Sequence, residues 1–318
     1  MTFDQILSID DDIAWQRRER RRRTLLRLAA IVCIVAAIGS VAIPLTMQMV
    51  FGITAQQTAS STARQMAALE AAQRTKALHA AESYNAELAD DGQPVLGEAG
   101  DPWSTQVDDN GLIDYESALS TKDNRYQSLL NAGDGIMARI RVPKQSIDLP
   151  VYHGTSQQAL AKGAGHLYGT SLPVGGTSTH AVITGHRGLV TAAMFTRLDE
   201  VRTGDYFYID VMGETLTYQV DRISVIKPDD VTQLKVTQGE DRVTLMTCTP
   251  YRLNTHRLLV SGIRVRNQQA PQAETTADVR TAQFVGLAVG VGVLLVGWMV
   301  VLAARRKSPA MPLASHAA

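Results

Sequence analysis

Two stretches of this 318-residue chain, residues 28–50 and 284–304, carry no charged side chain. A helix needs about 20 apolar residues to cross the hydrocarbon core of a bilayer, and both stretches are long enough. A buried core helix usually keeps a polar face, which neither stretch has. Pro44 in the first and the glycines of the second are tolerated in membrane helices. Arg17, Arg18, Arg20, Arg21, Arg22, Arg23 and Arg27 precede the first stretch, and Arg305, Arg306 and Lys307 follow the second. Cationic flanks stay cytoplasmic. The expectation is a two-pass membrane protein with a cytoplasmic N-terminus (1–27), an anchor (28–50), an external part, a second transmembrane helix (284–304) and a cytoplasmic tail (305–318). A cleaved signal peptide would also be apolar. Its core is usually shorter, and here a long N-terminal region with Asp10, Asp11 and Asp12 comes first, which favours an uncleaved anchor.

Charge adds an exclusion. Lys+Arg and Asp+Glu both number 31, so nothing marks nucleic acid as a partner. Of the two cysteines, Cys33 falls inside the first apolar stretch and reads as a small packer. Cys248 is then alone in the external part, so it forms no internal disulfide and is inert, intermolecular or reactive. No Cys or His pair has the spacing of a recognisable metal motif, so neither metal nor cofactor is expected.

The external part divides by composition. Residues 55–89 are rich in Ala, Gln, Glu and Lys without Gly or Pro, which favours helix. Their apolar positions are sparse, so they read as a solvated spacer. Gly and Pro then mark a loop over 90–111, and a second short helix is expected over 115–130. Helical spacer and loop together make a segment over 55–133. From 134 to 267 short strands alternate with turn signals, at 137–142, 181–184, 206–211, 215–220, 243–247 and 258–265. That pattern points to a β-barrel or sandwich. Residues 268–283 read as a linker.

Three segments place reactive side chains near strand ends. In 243–250, alternation argues for a strand that Pro250 terminates, which leaves Cys248 at its end. A second strand starts near Arg257. If the two pair antiparallel, Arg257 faces Cys248, where a guanidinium favours the nucleophilic thiolate and can hold an oxyanion. In 181–188 an apolar strand ends at Gly185 and presents His186, which can protonate a leaving amine. Singly, each has a plain reading: a small buried thiol, a solvated charge, an ordinary loop histidine. His79, His153, His166, His180, His256 and His316 are given structural readings.

Taken together the segments are more specific. Residues 244–257, Thr-Leu-Met-Thr-Cys-Thr-Pro-Tyr-Arg-Leu-Asn-Thr-His-Arg, closely resemble the sortase signature, in which Thr-Leu-x-Thr-Cys precedes an essential Arg. Thr-Gly-His-Arg-Gly at 184–188 matches that family's histidine motif. Pro-Val-Tyr-His-Gly-Thr at 150–155 and Gly-His-Leu-Tyr-Gly-Thr-Ser-Leu-Pro-Val-Gly-Gly at 165–176 resemble class C, the pilus-assembling sortases. The resemblance implies a mostly β fold, an eight-stranded β-barrel with N-terminal helices and two transmembrane helices. It implies a membrane-bound cysteine transpeptidase on the outside of a Gram-positive cell, with Cys248 as nucleophile, His186 as acid and base and Arg257 holding oxyanion or substrate. The substrate would be a pilin or surface protein with a Leu-Pro-x-Thr-Gly-like sorting signal, cleaved after Thr and passed to a lysine amine. Asp101-Pro102-Trp103 looks like the class C lid, with Asp101 able to pair with Arg257 and Trp103 able to cover the thiol. A housekeeping sortase, a surface cysteine peptidase and a non-enzymatic scaffold are the competing readings.

Overall fold

A computed structural model describes residues 3–94, 96, 119–131, 133–251, 253–265, 292, 297 and 298. Asp101, Trp103, the linker 268–283, the tail 305–318 and all but Gly292, Gly297 and Trp298 of the second apolar stretch lie outside these residues. Two compact units are recognisable: Met1–Thr46 with Val279–Ala318, and Met47–Asp278.

Helix α1, Phe3–Ala68, contains the first apolar stretch and is long and apolar enough to cross a membrane. Leu28, Val32, Ile34, Val35, Val41, Ile43 and Leu45 are all exposed. A helix with that much uncovered apolar surface is compatible with a membrane anchor.

In the second unit the helix is interrupted at Leu69–Glu70, and α2 follows over Ala71–Asp90. The solvated-spacer expectation fails for these helices. Ala55, Met66 and Ala81 belong to the main apolar core, and Phe51, Ala77, Leu78 and Tyr84 pack against it. The sparse apolar residues are the ones facing the core, and small alanines let the backbone come close. Asn85, 2% exposed, reaches further: its amide nitrogen donates to Leu172 O at 3.0 Å and its oxygen accepts from Leu172 N at 2.7 Å. Over the described residues, the single helix expected at 115–130 is two short ones, α3 (Leu119–Lys122) and α4 (Asn124–Ser128). The division falls at Asp123, whose carboxylate accepts from Tyr126 N at 2.9 Å as an N-cap.

Eight strands follow: β1 Ile136–Val142, β2 Ile147–His153, β3 Ala164–His166, β4 Thr179–Thr184, β5 Tyr206–Val211, β6 Glu214–Ile226, β7 Asp241–Thr249 and β8 His256–Arg264, with α5 (Gln157–Lys162) between β2 and β3. They close into a barrel in the order β1-β2-β3-β4-β7-β8-β6-β5. Strands β2 and β3 lacked a sequence signal. Pro150 interrupts the first, and the second spans three residues, too few for alternation to register. Strand β6 runs on to Ile226 past a register shift between Val220 and Arg222. Two pairings, β2 with β3 and β4 with β7, are parallel. The second of these positions the site.

Candidate active site

Side chains alternate between the two faces of a strand. In β7, Val243 and Leu245 enter the main core with Ala181 and Ile183 of β4 and Leu258 and Val260 of β8. Thr244, Met246 and Cys248 therefore point to the other face. A smaller apolar cluster lies there: Leu167, Val182, Ile226, Leu234, Met246 and Leu259. Cys248 continues this row and is 2% exposed, one residue before β7 ends.

On one side β7 pairs antiparallel with β8, and Cys248 is directly opposite Arg257. Opposed residues project to the same face with Cβ atoms about 4.5–5.5 Å apart. Arg257 is 3% exposed, and its Nη1 donates to Asn254 O at 3.1 Å and His256 O at 3.0 Å. The guanidinium thus ties the end of the β7–β8 turn, where Asn254 takes a left-handed backbone.

On the other side β7 runs parallel to β4. Thr184 is level with Met246. Beyond the last paired residues the alignment persists. Thr247 Oγ1 donates to Gly185 O at 2.7 Å, and Gly185 N donates to Met246 O at 3.1 Å. Arg187 Nη1 donates to Thr249 Oγ1 at 3.2 Å. The contacts Thr184–Met246, Gly185–Thr247 and Arg187–Thr249 all join residues 62 apart in sequence. His186 is bracketed by the last two, and the same separation puts it level with Cys248. Three neighbouring strands thus bring His186, Cys248 and Arg257 to one height on the barrel.

The histidine loop has local reasons for its shape. A Cβ on Gly185 would come within 2.9 Å of the Phe195 ring, which is fully buried, so a larger residue would push the loop off β7. Phe195 N donates to His186 O at 3.0 Å. Gly188, at φ +82, lies under the Tyr251 ring, 3.0 Å from where a Cβ would be. Burial holds the His186 pKa below the ordinary imidazole value, so the neutral ring is favoured.

The other histidines in the barrel are held differently. His166 meets the Tyr126 hydroxyl at 2.9 Å and Ser171 O at 2.8 Å. His180 meets Thr244 Oγ1 at 2.7 Å and Lys235 O at 2.9 Å. His153 lies 3.0 Å from Gly135 O and 2.8 Å from Leu129 O. Arg187 and Thr249 were not picked out from sequence. Their signal was the constant separation across the β4–β7 pair, which becomes visible once the pair is known to be parallel.

A sortase-domain family model matches residues 140–265. Sortase A of Streptococcus agalactiae serotype III (strain NEM316) is 27% identical over 140 residues, 43% of this chain and 54% of that protein. Sortase D of Bacillus subtilis (strain 168) is 27% identical over 112 residues, 35% of this chain and 54% of that protein. The chain thus spans about half the length of these curated relatives. Solved structures match over more of the chain. Sortase C-1 of Streptococcus pneumoniae is 40% identical with a TM-score of 0.57, covering 67% of this chain and 100% of that one. Sortase C-1 of Actinomyces oris is 44% identical with a TM-score of 0.52, covering 61% and 99%. The pilus-related sortase C of Group B Streptococcus is 39% identical with a TM-score of 0.55, covering 64% and 95%.

Proposed function

The chain belongs to the sortase family, with class C sortases as its structural relatives, and on that premise we propose that it is a cysteine transpeptidase that polymerises pilin subunits. The observation that carries this reading is the common height of His186, on the loop after β4, with Cys248 on β7 and Arg257 on β8.

The chemistry follows from that arrangement. His186 takes the Cys248 thiol proton as the sulfur attacks the carbonyl carbon of Thr in a Leu-Pro-x-Thr-Gly-like signal. Negative charge moves to the carbonyl oxygen, where the Arg257 guanidinium stabilises it. The C–N bond to Gly breaks, and the departing amine takes a proton from His186. A thioester on Cys248 remains. A lysine amine of a second pilin then attacks and gives a proton to His186, and the expelled sulfur takes that proton back, restoring thiol and neutral imidazole. The product is an isopeptide bond, and the enzyme returns to its starting form. In this reading α1 anchors the enzyme and the barrel works outside the cell. Both termini are cytoplasmic, the second apolar stretch recrosses the membrane, and Asp101 and Trp103 cover the groove until substrate arrives.

Mass spectrometry of the full chain with a Leu-Pro-x-Thr-Gly peptide tests the reaction. A mass adduct on Cys248 that a lysine amine discharges is the expected result. Hydrolysis with no amine-dependent product would identify a peptidase instead. Ladders of covalent pilin multimers separate the pilus type from a housekeeping sortase, which makes one transfer per substrate.

A further inference from the structure

The loop that carries His186 leaves β4 after Thr184, so strand pairing no longer fixes its height beside Cys248. Arg187, the next residue, makes contacts that do. Its side chain is only 8% exposed although it lies in a loop. Nη1 donates to Thr249 Oγ1 at 3.2 Å, directly after Cys248, and Nη2 donates to the Asp199 carboxylate on the return of the histidine loop. The guanidinium also lies 5.9 Å from the Tyr251 ring centroid, and that ring packs on Gly188. One side chain thus spans the start of the His186 loop, its far limb and both residues flanking Pro250.

This is an uneconomical way to build stability. Arg187 Nε is buried and has no acceptor among the described residues. A buried arginine with one N–H unmet is readily replaced, as far as stability alone goes, by an apolar side chain of similar volume. Geometry gives it another use. The planar fork can reach a hydroxyl and a carboxylate in two fixed directions at once, which a lysine's single ammonium cannot.

We propose that Arg187 is a positioning residue that clasps the His186 loop to the end of β7 and so keeps imidazole and thiol in register. The inference rests on the nucleophile and acid–base assignment made above. Without the clasp the His186 loop loses its tie to the end of β7, and its ring meets water more freely. A displacement of about 1 Å in such a pair costs on the order of 100-fold in rate.

The test uses the full chain in lipid nanodiscs, a Leu-Pro-x-Thr-Gly peptide with a lysine amine, and the variants Arg187→Met, Arg187→Lys and Thr249→Val. Arg187→Met should lower kcat about 10- to 100-fold with KM within about twofold, the pattern of a lost transition-state arrangement. The limb of the kcat/KM profile set by His186 should move to higher pH, because the ring loses its burial. The pH dependence of iodoacetamide alkylation of Cys248 should move with it. Arg187→Lys should recover part of kcat. Thr249→Val should cost less than Arg187→Met and add little on top of it. Parent-like kcat and pH profile in well-folded Arg187→Met would overturn the clasp. Should Arg187→Met fail to fold, parent-like behaviour of both Arg187→Lys and Thr249→Val would overturn it equally. Absence of acyl transfer to Cys248 in the parent would remove the functional reading and the clasp together. Acylated parent with indifferent variants would remove only the clasp.

Discussion

Strand β4 begins near one histidine and ends near another, and the two are treated in opposite ways. His180, in the first half of the strand, is 1% exposed, with one ring nitrogen against Lys235 O and the other against Thr244 Oγ1. Thr244 also bonds Ser261 at 2.7 Å, so the imidazole is a rivet through β4, β7 and β8. His186 lies two residues beyond the other end, half-buried, on a loop, beside Cys248. The residue type is the same, and both lie along the course of β4 and the loop that continues it. The difference is that one imidazole is held at both nitrogens, by Thr244 of β7 and the backbone at Lys235, while the other lies on a loop at the strand end that carries Cys248. A histidine's role is thus set by the partners at its ring nitrogens, which its neighbours in sequence do not reveal.

The largest effect that would sharpen this contrast is at the sulfur. Cys248→Ala should abolish thioester and product to background in the peptide assay. His186→Ala should follow, with kcat down by about 10²–10⁴-fold, the usual worth of a general acid–base. His180→Asn should leave kcat close to the parent and instead lower the unfolding free energy in urea by about 1–3 kcal/mol for the broken buried contacts. The contrast breaks if the two variants exchange phenotypes. Arg257→Ala should cost about 10²–10³-fold in kcat if its guanidinium holds the developing oxyanion.

Acid stability gives a smaller effect with a defined sign. Burial lowers His180 from 6.5 to about 4, and His166 likewise. Such a group takes up its proton more readily in the unfolded chain, so its contribution is complete above about pH 6.5 and drains away as the pH falls toward 4. For one histidine the full span corresponds to about 3 kcal/mol at most. Urea midpoints between pH 7 and 4.5 should therefore fall less steeply in His180→Asn than in the parent. Equal slopes would mean that His180 is not the neutral rivet described. The smallest expected change comes from Asp101→Ala with Trp103→Ala, which should raise the rate of Cys248 thiol labelling. Unchanged labelling would remove the lid.

The helical segment shows where sequence reading stopped. Residues 55–89 have few apolar positions, and counting them suggested a solvated spacer. The count missed that Ala55 and Ala81 bury completely when a barrel surface comes to them, and that Asn85 can replace a backbone partner for Leu172. Neither property is written in local periodicity. Both depend on a surface built from residues far along the chain. Strand β3, paired at three positions with β2, was invisible for the same reason.

Sequence alone settled what a local pattern can settle. It identified the apolar length of α1, most of the strands from their alternation, and three motifs whose chemistry suits acyl transfer. It also allowed the opposition of Cys248 and Arg257, because a short connection between two strands makes antiparallel pairing the simple outcome. It could not fix the height of His186. That height depends on β4 and β7 being parallel neighbours, a pairing between segments 62 residues apart that no short-range rule imposes. Only the closed barrel, by placing β4 next to β7, brought the three candidate residues spread along the chain to one height, and gave Arg187 something to clasp.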